Sequence, residues 1–188
     1  MEAVLKREII TNKVFCRFFA VAASVVMITL GAYVRIPLTF TPVPLTLQTF
    51  FVLLSAALLG QRLGLAAQAG YVFLGASGVS IFSGTSSGGA YFLGPTGGYI
   101  AGFILAAIMI GKVIRYAGRN VFFVFGIFCL ADLVILACGT LWLKAVLNAP
   151  LAQAVRLGFI PFIPGDLLKI VVAVIAYLGL DRRVKDIL

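Results

Sequence analysis

The chain has 188 residues, of which 62% are apolar and 11% charged, and its mean hydropathy is +1.14. Soluble domains average about 45–50% apolar and about 25% charged residues, so a soluble globular domain is excluded; lipid must cover this much apolar surface. At about 20 residues per crossing of a core about 30 Å thick, six spans fit the length, and the ten or twelve spans of large two-repeat transporters do not.

The net charge of +9 does not indicate nucleic acid as a partner. The cations stand singly between apolar runs instead of forming a basic patch. Cys16, Cys129 and Cys138 lie in apolar stretches without CxxC spacing, and the chain has no histidine. That pattern offers neither a disulfide framework nor a zinc site. Small packing residues are the simpler reading, and no metal or cofactor is expected.

In chain order, the first apolar run spans about 14–34 and follows Lys6, Arg7, Lys13 and Arg17. A secretory signal peptide is the alternative, with AVAAS (20–24) offering small residues. The run continues through SVVMITLGAYV and five more follow, so it reads as a retained first helix. RIPLTFTPVPLTLQ (35–48) carries Pro37, Pro42 and Pro44, which predict extended or irregular backbone. The second span is expected at 45–60, a turn at Gly60-Gln61-Arg62, and the third span at 63–75; both are short. SGVSIFSGTSSGGAYFLGPTGG (77–98) is an uncharged, Gly/Ser-rich connection. The fourth span is expected at 97–110, then a basic loop with Lys112, Arg115 and Arg119, and the fifth at 121–143. After a polar stretch, FIPFIPGD leads into the sixth span at 166–180, and the chain ends DRRVKDIL. The expected fold is an all-α membrane protein, one transmembrane domain (1–188) of six helices.

Alternating six spans puts Lys6, Arg7, Lys13, Arg17, Arg62, Lys112, Arg115, Arg119, Arg182, Arg183 and Lys185 on one side, eleven in all. Arg35, Lys144 and Arg156, three in all, fall on the other, and Lys169 lies within the last span. Cytoplasmic loops carry the excess of Lys and Arg, so both termini are expected in the cytoplasm of a cell (inner) membrane protein. Gly94, Gly98, Gly102 and Ala106 recur every four residues, as do Cys16, Ala20 and Ser24. Such stripes let helices approach closely in lipid; each serves either internal packing or the docking of a separate subunit.

Ionisable residues within spans are functional candidates by default, and three qualify: Asp132, Asp166 and Lys169. Asp166 and Lys169, three apart, share a helical face. On one reading Asp166 caps the last helix and Lys169 neutralises it. On the other, an acceptor, a cation and a positive helix terminus suit a ligand with N–H donors and a carboxylate. The two are compatible. Asp132 reads either as an interhelical hydrogen-bonding residue or as a site member. The charge count places the Pro-rich segment, the Gly/Ser-rich segment and the PGD start at one, extracellular, end. Irregular backbone at membrane depth is tolerated when it is buried in protein or lines a cavity, so an outward-opening pocket is expected. Phe40, Phe82, Tyr91, Phe92 and Tyr99 are available for its walls or for packing.

No GxxxxGK[ST] loop occurs, and GPTGG lacks the lysine that phosphate binding needs. HExxH is absent, and the serines of SGTSSGG have no base to activate them. The chain is not expected to be an enzyme or to hydrolyse ATP.

The motifs IPLTFTPVPLTLQTF (36–50), GPTGGYIAGF (94–103) and PGDLLK (164–169) resemble those of the BioY family, the biotin-specific substrate-binding S components of energy-coupling factor (ECF) vitamin transporters. The resemblance runs from the first helix to the C-terminus. It implies a six-helix S-component bundle, biotin capture from outside, and partnership with a transmembrane coupling protein and ATPases. By the same resemblance, Asp166 accepts from the ureido N–H groups of biotin and Lys169 holds a polar group beside it. Gln48, Ser86 and Tyr99 match lining positions, and Ala20 and Ser24 match the small residues that contact the coupling protein. The chain departs from some members in having Ile100 where a basic residue follows GGY, and Ser86 in place of an asparagine. Arg35 or backbone amides are then candidates to receive the valerate carboxylate. A self-sufficient biotin facilitator and an S component for another vitamin remain the alternatives.

Overall fold

The computed structural model describes residues 13–187; Lys6 and Arg7 lie outside them, as does the side chain of Lys185. Helix α1 (Lys13–Tyr33) leads into a two-residue antiparallel ribbon, β1 (Arg35–Ile36) and β2 (Leu45–Thr46), paired Arg35 to Thr46 and Ile36 to Leu45. The Pro-rich residues between the strands form its loop. They cannot complete a ladder, because proline lacks the N–H donor. Helix α2 (Gln48–Ala76) is followed by the Gly/Ser-rich segment, which ends in a 3-10 turn at Gly89–Leu93. Helices α3 (Gly97–Ala117), α4 (Val121–Leu147) and the short α5 (Leu151–Gly158) follow, and a 3-10 turn at Ile160–Phe162 opens into α6 (Ile163–Ile187).

The all-α bundle is as expected, but the helix count differs. Among the described residues five segments are long and apolar enough to cross a membrane, not six: Lys13–Tyr33, Gln48–Ala76, Gly97–Ala117, Val121–Leu147 and Leu151–Val184. The expected second and third spans lie within α2, which is broken at Gly60 (φ 72°, ψ −174°). In an unbroken helix rising about 1.5 Å per residue, Gln48 and Tyr71 would stand about 34 Å apart. Instead Gln48 Nε2 donates to the Tyr71 hydroxyl at 2.7 Å. Gln68 Nε2 likewise reaches Ser55 Oγ at 3.4 Å. A Cβ on Gly64 would lie 3.0 Å from the Ala56 Cα. The two arms therefore double back on each other at Gly60, whose backbone conformation only glycine adopts without strain.

Two arrangements inside the bundle follow from residue size. On α3, a Cβ at Gly98 would come 2.2 Å from the Trp142 Cβ, and one at Gly102 would come 2.8 Å from the Ile135 Cα. Gly98 and Gly102 of the stripe thus lie in the seam between α3 and α4. Trp142 Nε1 closes it above by donating to the Gly94 carbonyl at 2.9 Å. The α4 start at Val121 is fixed by Asn120, whose side chain accepts from the Phe123 N–H at 3.1 Å, satisfying one orphan donor of the first turn.

Outside the bundle the surface is apolar: Phe18, Phe122, Leu168 and Ile175 are all exposed. Inside lie Ile28, Leu53, Ile110, Phe128 and Ile170. Apolar residues on both surfaces suit a protein solvated by lipid.

Candidate ligand-binding site

Helix α6 begins at Ile163, with Pro164 in its first turn, where the missing N–H has no intrahelical partner to lose. This moves Asp166 inside the helix. Asp166, expected near the N-cap of α6, lies in its first turn, three residues after the helix start and not at the cap position itself. Its hydrogen-bond partner is Lys169, whose Nζ donates to Oδ1 at 2.7 Å. Both residues are buried, Asp166 3% and Lys169 8% exposed. A buried ion pair holds only when mutual attraction and further hydrogen bonds offset desolvation. A carboxylate has about four lone-pair sites and an ammonium three donors. One bond between the two leaves capacity on each.

That capacity faces a cavity. The pair lines a space containing about 540 Å³ free of protein atoms, counting the part open to solvent. The ribbon contributes Val43, Pro44 and Thr46, the start of α2 contributes Gln48 and Thr49, and its returning arm contributes Tyr71. Thr96, Tyr99, Ile100 and Phe103 come from the start of α3, Ile135 and Leu136 from α4, and Phe162 from the turn before α6. Ser83 and Tyr91 close it from the Gly/Ser-rich segment. Apolar walls with a few convergent polar groups are the ordinary form of a small-molecule site.

The polar groups differ in what they have left to give. Gln48, buried, is tied by Nε2 to Tyr71, whose hydroxyl in turn donates to the Ile81 carbonyl at 3.2 Å. The Tyr99 hydroxyl donates to the Gly158 carbonyl at 2.6 Å. Tyr99 thus presents its ring to the cavity while its hydroxyl braces α5. Ser83 Oγ is buried and has no hydrogen-bond partner among the described residues. Tyr91 stacks on Phe82 at 4.6 Å, and Phe82 meets Tyr71 edge-on at 5.5 Å. Burial pushes the Tyr91 phenol above its ordinary pKa.

Of the residues expected at the site, Asp166, Lys169, Gln48 and Tyr99 line the cavity and Ser86 does not. Ser86 is used by its backbone: its carbonyl accepts from the Phe82 N–H at 3.0 Å in an isolated bridge. The serine three residues earlier faces the cavity instead. Of the candidate aromatics, Tyr91 lines it, Phe82 and Phe92 pack behind it edge to face, and Phe40 is exposed. Arg35 is also exposed, its guanidinium lying against Gly84 in a shallow surface hollow with Tyr33 and Thr85. Among the lining residues Lys169 is the one cation. Asp132 is buried in α4 with Oδ1 unpartnered among the described residues. On α1, Ala20 and Ser24 are half-buried, and the Ser24 hydroxyl bonds back to the Ala20 carbonyl at 2.8 Å.

Sequence reasoning missed Tyr71, Ser83 and Thr96. A signal existed for Tyr71: a tyrosine three residues after Gln68 in an apolar span marks a polar helical face. Ser83 has no comparable signal, because the segment offers several equivalent hydroxyls. Its backbone path decides which one turns inward.

The BioY family profile matches residues 7–186. The biotin transporter BioY of Thermotoga maritima is 40% identical over 168 residues, covering 83% of this chain and 90% of the relative. A probable biotin transporter BioY of Pyrococcus horikoshii is 40% identical over 155 residues, covering 82% and 90%. A crystal structure of the S-component for biotin from an ECF-type ABC transporter superposes with a TM-score of 0.85 at 27% identity, covering 92% of this chain and 94% of that one. On the extent of these matches, the chain belongs to the BioY family.

Proposed function

We propose that this protein is the substrate-capture subunit of a biotin uptake system, and that Asp166 and Lys169 grip the ligand. The observation that carries this reading is the buried pair, bonded at 2.7 Å, at the wall of a cavity otherwise mostly apolar. The ureido group of biotin presents two N–H donors and a carbonyl acceptor. The free lone pairs of Asp166 suit the donors, and the remaining Lys169 donors suit the carbonyl or another polar group at that end. Charge-assisted hydrogen bonds of this kind are about twice as strong as neutral ones. Tyr91, Phe162 and the Tyr99 ring provide apolar faces for the fused rings, and Gln48 and Ser83 provide neutral polar contacts. The relatives named above are transporters, and the reading involves no chemical turnover.

With the two arms of α2 counted as separate passes, as their reversal at Gly60 requires, the eleven-to-three cation count supports an orientation with both termini in the cytoplasm of the cell membrane and the cavity facing outward. Energy coupling then falls to partners, a transmembrane coupling protein and ATPases. The half-buried Ala20–Ser24 face of α1, where small side chains permit close helix approach, supports docking of the coupling protein there.

Titration of the purified chain with biotin and desthiobiotin, beside a heat-shift screen of other vitamins, tests the ligand. Saturable binding of the two ureido compounds and no shift with the others is the expected result. A larger shift with an unrelated vitamin overturns it. Labelled biotin accumulating in liposomes that contain this chain alone would remove the need for partners.

A further inference from the structure

A second concavity shares no lining residue with the ligand cavity. It contains about 1470 Å³ free of protein atoms, counting the part open to solvent. The reversal of α2 builds it: Gly60, Gln61 and Arg62 line it, at the far end of the two arms from Gln48 and Tyr71. Gly111 of α3 lines it too, and a Cβ there would run into the Gln61 backbone. The missing side chain lets the α2 turn lie directly on α3. Arg115, one helical turn beyond Gly111, shares its face, so Arg115 and Arg62 come to the same rim. Arg17 reaches the concavity from α1 and Tyr177 from α6.

The walls are of two kinds. Ala57, Leu58, Leu59 and Ile114 are apolar, the arginines are cationic, and no Asp or Glu is among the described lining residues. A concave surface lined by cations draws anions. Arg115 gives one bond to the Tyr116 hydroxyl, at 2.6 Å, which leaves most donors of its guanidinium. The planar fork of that group matches phosphate oxygens two at a time. A free phosphate would use the cationic wall alone. A phospholipid uses both, with its phosphate on the arginines and its acyl chains along the apolar wall. By the cation count this end faces the cytoplasm, where the membrane surface is negative.

We propose that this concavity binds the headgroup of an anionic phospholipid, with the phosphate held by Arg62 and Arg115. Short-chain phosphatidylglycerol, short-chain phosphatidylcholine and glycerol 3-phosphate, each titrated into the purified chain in neutral detergent, test this through the melting temperature. Phosphatidylglycerol should stabilise at lower concentration than phosphatidylcholine, and glycerol 3-phosphate should not stabilise. Arg62→Gln with Arg115→Gln should raise the half-effective phosphatidylglycerol concentration about twenty-fivefold, at about fivefold for each cation near an anionic surface. Lys112→Gln with Arg183→Gln removes as much charge, but neither residue lines the concavity, and the response should change far less. Equal losses in the two pairs would mark a general attraction of lipid to basic surface and overturn the site. Equal stabilisation by phosphatidylcholine overturns it as well, and glycerol 3-phosphate matching the lipid would assign the concavity to a soluble phosphate instead. Should the double variant fail to fold, each single variant is read alone at about fivefold, and single variants that also fail to fold overturn the proposal. No part of the result depends on whether the chain binds biotin.

Discussion

Gln48 and Tyr71, 23 residues apart in sequence, are joined by a 2.7 Å hydrogen bond between side chains that both line the cavity. The bond exists because α2 reverses at Gly60, so the turn at one end of the molecule assembles the site at the other. Fold and site share this one backbone feature.

Gly60→Ala should therefore cost both. Nothing lies within 4 Å of a Cβ at this position, so the penalty comes from the φ of 72° alone. Such strain costs about 1–3 kcal/mol. We expect a melting temperature several degrees lower, measured in detergent, with the folded fraction still binding ligand. An unchanged melting temperature would show that the turn relaxes elsewhere.

Tyr99→Phe separates wall from grip. The hydroxyl is committed to the Gly158 carbonyl, and losing one neutral hydrogen bond costs about 1 kcal/mol. Stability should fall by that amount while biotin affinity changes less than about twofold. An affinity loss exceeding the stability loss would mean that the phenol reaches the ligand.

Ser83→Ala and Ser86→Ala form a matched pair three residues apart. Ser83 lines the cavity and its buried hydroxyl has no partner among the described residues, whereas Ser86 does not line it. Isothermal titration should show about a fivefold weaker affinity for Ser83→Ala, the worth of about 1 kcal/mol, and no change for Ser86→Ala. The reverse order would restore Ser86 to the site.

Much of this was legible in the sequence, for physical reasons. Hydropathy and length locate the apolar segments, and Gly60-Gln61-Arg62 marks the reversal. At Gly60 the backbone leaves helical φ/ψ, so the run Gln48–Ala76 consists of two arms meeting at a kink, and these are the two expected spans. PGD predicts a helix start three residues too late, because proline is compatible with the first turn and α6 begins before it. The consequence is chemical: Asp166 stands within the first turn and is held by Lys169. Serine choice within 77–98 was beyond reach, since an irregular segment has no periodicity from which to read direction. Likewise the Tyr99 ring could be placed at the cavity, but its hydroxyl partner on α5 comes from tertiary packing.

The most direct measurement is biotin titration of a chain in which the gripping pair is replaced as a unit, Asp166→Leu with Lys169→Met. Removing one partner alone leaves a buried unpaired charge and costs about 3–5 kcal/mol, whereas apolar replacement of both is often neutral or stabilising. The double variant should melt at or above the temperature of the unmodified chain and show no saturable biotin binding. A folded double variant that binds biotin with unchanged affinity would contradict the account.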